Sequence, residues 1–78
     1  MSTFIGLAWT VRRLLSSGRV TITVNEPALF GFIEVALRRS GIKAGNYAIM
    51  DGKLYFTVPA RDEQRARERL NSLGVENE

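Results

Sequence analysis

The sequence contains no cysteine and no histidine. The first absence excludes disulfide staples and thiolate nucleophiles. Together the two absences exclude zinc sites of the usual kind and any Ser-His or Cys-His catalytic pair. Long apolar runs are missing as well. The longest, "FIGLAWTV", falls far below the roughly 18 to 20 residues a transmembrane helix needs. It does not read as a signal peptide either, because Arg12 and Arg13 follow the apolar run instead of preceding it.

What is present is a chain of 78 residues, 45% hydrophobic and 24% charged. That composition belongs to one compact domain without repeats or low-complexity segments. A domain this small buries only about 60% of the surface its unfolded chain exposes, so a further stabiliser is usual. With disulfides and metals set aside, oligomerisation is the one left. The lack of cysteine fits a reducing compartment, and a cytoplasmic location is expected.

The net charge is +3 and it is unevenly placed along the chain. Residues 1 to 58 hold seven basic and three acidic side chains, and residues 59 to 78 hold four basic and five acidic. A basic body followed by a charge-mixed segment permits contact with nucleic acid or anionic lipid without demanding it.

Between Arg19 and Val24, "RVTITV" alternates Val20, Ile22 and Val24 with threonines, the period of a strand with one buried face. Asn25 is placed to cap a following helix, Glu26 suits its positive end, Pro27 fits a first turn, and Gly41 ends it. A step of about 100° per residue puts Leu29, Phe30, Ile33, Ala36 and Leu37 on its core face, with Phe32 and Val35 off that face. In "NYAIMDGKLYFTV", Asp51-Gly52 between strand formers is a two-residue type I′ hairpin. That turn sets Met50 against Lys53, Ile49 against Leu54 and Tyr47 against Phe56, leaving Tyr55 on the opposite face. After Pro59, Ala66, Leu70 and Leu73 form the narrow apolar stripe of a last helix, with Gly74 as its stop and Val75 as the accompanying apolar contact.

The opening segment reads as a helix, with Phe4, Leu7, Ala8, Val11, Leu14 and Leu15 on one face. Read as a strand over residues 3 to 11, it would align Ile5, Leu7, Trp9 and Val11 instead. The predicted architecture is a small α+β two-layer sandwich of order α-β-α-β-β-α over one domain, 1–78. A helix at 1–18 precedes a βαββα body at 19–73, and a frayed tail follows at 74–78. This is the split β-α-β, ferredoxin-like sheet with three strands and no final one.

Two surfaces are candidates for function. Trp9, Phe32 and Val35, together with the edge of the first strand at Val20 and Ile22, form an apolar interface for a protein partner or a second copy. Arg12, Arg13, Arg38, Arg39, Arg61, Arg65 and Arg69 are the candidates for contact with a nucleic-acid backbone. Residues 4 to 15 also carry the ingredients of an interfacial membrane helix. "GIKAG" lacks the spacing of a phosphate loop, its glycines serving as helix stop and turn. No pair of acids is placed for general acid-base work, so no catalytic residue, cofactor or metal is expected.

From Leu14 to Arg65 the chain resembles the N-terminal soluble domain of the sporulation-associated YqfD-like proteins. The likeness lies in "LLSSGRVTITV", "FIEVALRRSGI" and "LYFTVPARDEQR". It implies a soluble binding module with a sporulation association, and it supplies no catalytic residue. From the apolar surplus and the open strand edge, the expected function is a non-enzymatic interaction or self-association module, with nucleic-acid binding through the arginines as the alternative.

Overall fold

A computed structural model of the chain describes residues 18–78. The expectations for the opening helix, Trp9, Arg12 and Arg13 lie outside these residues. In chain order the elements are β1 (Arg19–Val24), α1 (Phe30–Arg39), β2 (Gly45–Met50), β3 (Lys53–Pro59) and α2 (Glu63–Ser72).

The three strands form one antiparallel sheet in the order β1-β3-β2. The hairpin partner is therefore inserted between the two strands that α1 connects, as the split β-α-β arrangement requires. In β1, Val20 faces Val58, Ile22 faces Phe56 and Val24 faces Leu54. The hairpin register is the one its turn dictates, Met50 to Lys53 and Ile49 to Leu54. Asp51 and Gly52 both have positive φ, 54° and 72°, as a type I′ turn demands.

Both helices pack on one face of this sheet. The core consists of Ile22, Val24, Leu54, Phe56 and Val58 from the strands, Ile33 and Leu37 from α1, Ala66 and Leu70 from α2, and Ile42 and Val75. Complete burial of side chains of this size contributes about 1.5–3 kcal/mol each against exposure. Among the described residues no polar or charged side chain is buried.

Ile42 and Val75 enter the core for the same reason. Each follows a glycine that ends a helix in the left-handed conformation, Gly41 at φ 76° and Gly74 at φ 76°. The Ile42 N–H bonds the Leu37 carbonyl at 3.0 Å, and the Gly41 N–H bonds that of Arg38 at 3.0 Å. Val75 and Gly74 repeat this on Leu70 at 2.9 Å and Asn71 at 3.0 Å. The paired bonds satisfy the last carbonyls and fold the next apolar residue back under the helix.

Four local expectations need correction. Asn25 does not cap α1: a 3₁₀ turn at Pro27–Leu29 intervenes, and no side chain caps either segment. Proline at the start of that turn sets its φ, so the chain tightens before it becomes α-helical. β2 carries a bulge between Gly45 and Ala48, with Asn46 at φ 55°, which the turn-based register does not foresee. The tail does not fray: Val75 is buried, and Thr23 and Glu78 exchange backbone hydrogen bonds of 3.0 and 2.8 Å. Ile49, expected in the core opposite Leu54, is 56% exposed, because β2 is an outer strand of the sheet.

Candidate functional site

The apolar candidates separate once the chain is folded. Phe32 is exposed at 51%, whereas Val35 is half-buried. Ile22 is fully buried in the core and cannot present its side chain to a partner, and Val20 packs against that core. Strand alternation explains both: the apolar residues of β1 all point to the helices, so only backbone remains at its outer edge. That edge is itself engaged at Thr23 by Glu78.

The larger exposed apolar group lies elsewhere, at the start of α1 and the end of β2. Phe30 is 36% exposed, and Ile49 and Met50 are each 56% exposed. Phe30 leans on Tyr47 with ring centroids 4.7 Å apart, and Tyr47 stacks on the buried Phe56 at 5.3 Å. Tyr47 and Ile49 alternate on the same face of β2, so Phe30, Tyr47 and Ile49 make a stripe along the sheet margin. Sequence reasoning assigned Phe30 and Ile49 to the core. The signal that separates them is the strand order, which makes β2 an edge.

From Ala44 to Met50 this edge carries no charged residue and no proline. Met50 closes the hairpin with Lys53, so alternation turns the N–H and C=O of Ile49 outward, without a partner among the described residues. Natural edges are ordinarily blunted by charge or proline. Here the bulge is the blunting device, and it sits in the first half of the strand.

The basic candidates also divide. Arg38 and Arg39 end α1, Arg61 lies in the 3₁₀ turn Ala60–Asp62 that precedes α2, and Arg65 lies in the first turn of α2. All four therefore meet at one end of the sheet, near the loop 40–44. Arg65 Nη2 donates to the Ser40 carbonyl at 2.9 Å and lies 4.0 Å from Asp62. Arg69 is in the last turn of α2, at the opposite end.

Two further cations, Arg19 and Lys43, join the first group. Arg19 Nε donates to Thr57 Oγ1 at 2.9 Å, and its Nη2 donates to the carbonyls of Lys43 at 2.8 Å and Thr57 at 3.0 Å. Lys43 itself is exposed. Its position in a loop after a helix stop gave no pattern by which sequence could place it.

Among the described residues no group of three or more histidine, cysteine, aspartate or glutamate side chains could hold a metal ion. Nor is any helix there long and apolar enough to cross a membrane. The Tyr47 hydroxyl is shifted above the ordinary tyrosine pKa, first by burial and then by the charge of Glu34. No protein-family model matches the chain, and neither a curated protein nor a solved structure matches it.

Proposed function

We propose that the protein is a non-enzymatic interaction module that self-associates, pairing the outer edge of β2 with the same edge of a second copy. The observation that carries this reading is Ile49, 56% exposed on an edge strand without charge from Ala44 to Met50. Two copies related by a two-fold axis would set Ile49 against Ile49 and exchange its outward N–H and C=O groups. The Phe30–Tyr47 stripe would then be buried alongside. A second copy suits this edge because two uncharged strands approach without like-charge repulsion, whereas the opposite end of the molecule is arginine-rich.

Sedimentation of the full chain at micromolar concentrations tests the proposal. A concentration-dependent dimer that Ile49→Lys abolishes supports it. A strictly monomeric species refutes it, as does a dimer lost on Phe32→Ser and kept with Ile49→Lys. The latter result would transfer the interface to the free flank of α1.

A further inference from the structure

The fold sorts charge that the sequence interleaves. One end of the sheet gathers Arg19, Arg38, Arg39, Lys43, Arg61 and Arg65, with Asp62 and Glu63 the acids beside them. The other end holds Glu26, Asp51, Glu76 and Glu78, with Lys53 and Arg69. Three backbone links fix the basic end: Arg19 to the Lys43 carbonyl, Arg65 to the Ser40 carbonyl, and the Ala60 N–H to the Gly18 carbonyl. Residues from four separate stretches of chain are thus held together.

Two adjoining concavities open there. One, of about 480 Å³, is lined by Gly18, Arg19, Lys43, Pro59, Ala60 and Arg61. The second, of about 500 Å³, runs from Lys43 past Ala44 and Tyr47 to Arg38, with Glu34 on its wall. Lys43 lines both, so the two concavities share a wall and form a groove with Arg19, Arg61, Lys43 and Arg38 along it and Glu34 as its acid. We propose that this groove binds the phosphodiester backbone of a nucleic acid, without reading its bases.

Three features favour this occupant. The Arg19 guanidinium is held by Thr57 and Lys43, so a cation on the groove wall is fixed before any ligand arrives. The rings near the groove are already engaged, Tyr47 lying against both Phe30 and Phe56, which leaves contact to phosphates and sugars in preference to base stacking. A lipid surface would call for exposed apolar side chains beside the cations. Phe30, Ile49 and Met50 instead lie towards the acidic end.

Fluorescence anisotropy with a labelled single-stranded oligonucleotide, using the full chain, tests the proposal. Binding at low salt is expected, with log K falling linearly against log salt. The triple variant Arg38→Gln, Lys43→Gln, Arg61→Gln is expected to weaken binding about tenfold or more and to flatten that slope by about 2. These side chains are exposed, and circular dichroism checks that the fold is kept. The control pair Lys53→Gln, Arg69→Gln at the other end should leave binding unchanged. Absence of binding at low salt overturns the proposal, and so does a control pair as damaging as the triple variant. Capture of phosphatidylserine vesicles or poly-glutamate in place of the oligonucleotide overturns it in favour of those ligands.

Discussion

Thr23 and Glu78 exchange two backbone hydrogen bonds, 3.0 Å from the Thr23 N–H and 2.8 Å from that of Glu78, and so place the last residue of the sequence antiparallel to the outer edge of β1. A fourth ferredoxin-like strand would run at this position. One reciprocal pair marks it, and the buried Val75 anchors the turn that leads there. Removal of residues 75–78 is expected to lower stability by about 3 kcal/mol, combining a buried valine with two net hydrogen bonds. Urea unfolding measures the loss. In the intact chain the Thr23 amide should exchange with deuterium more slowly than that of Thr21.

Thr57 organises the bulge side of the sheet. Its hydroxyl accepts from Arg19 Nε at 2.9 Å and from Asn46 Nδ2 at 3.0 Å, and donates to the Gly45 carbonyl at 3.3 Å. Thr57→Val keeps the shape and removes these bonds, so a loss of about 1–2 kcal/mol is expected in the unfolding free energy measured by urea denaturation. Asn46→Gly should change stability by less than about 1 kcal/mol, because relief of the positive φ offsets the lost exposed hydrogen bond to Thr57 and the freer unfolded chain.

Phe56 is the largest fully buried side chain, central in the sheet and stacked on Tyr47. Phe56→Ala should cost about 3–5 kcal/mol, enough to unfold much of a domain this small. Phe32→Ala, on the exposed flank of α1, should alter stability by less than about 0.5 kcal/mol. Parallel chemical denaturation of the two variants separates core from surface.

Tyr47 links stability to alkaline pH. Burial and the nearby Glu34 raise its pKa in the folded protein above the unfolded value of about 10. The neutral phenol is therefore favoured by folding. Its contribution is complete below about pH 10 and is lost as pH rises through the folded-state value. Urea midpoints should fall across that window, and Tyr47→Phe should flatten the decline. Glu34→Gln should move the tyrosine titration, followed by ultraviolet absorbance, back towards the ordinary value.

Ile49 distinguishes association from folding. Ile49→Lys places a charge on the β2 edge, where like charges of two copies would face each other. The expected result is at least a tenfold weaker dimer by sedimentation, with a change in monomer stability of less than about 1 kcal/mol, since the side chain is mostly in solvent.

The strand "RVTITV", the Asp51-Gly52 hairpin and both glycine helix stops were legible because each depends on neighbours within a few residues. Alternation, a positive-φ pair and the Gly-Ile or Gly-Val that follows a helix are local signals. The bulge at Asn46, the 3₁₀ turn at Pro27–Leu29 and the pairing of Glu78 were not. The bulge and the tail pairing depend on Thr57, Arg19 and Thr23, which lie 11 or more residues away, and the 3₁₀ turn competes with a helix start of the same composition. Of the apolar surplus the sequence pointed to, Phe32 is exposed and Val35 half-buried, whereas the exposure of Phe30, Ile49 and Met50 was not legible. A hydrophobic arc identifies which side chains are in surplus, whereas the neighbour of each strand determines which remain uncovered.

The sequence by itself determined the α+β class, the strand and hairpin periods, the helix stops and the absence of cysteine and histidine chemistry, because these follow from local backbone preference and composition. Only the tertiary structure decided that β2 is an edge, that Ile22 is sealed while Ile49 is not, and that Arg19, Lys43 and Arg61 share one groove. Strand order and antiparallel direction bring residues that are distant along the chain to the same end of the sheet, and no periodicity within a single segment encodes that meeting.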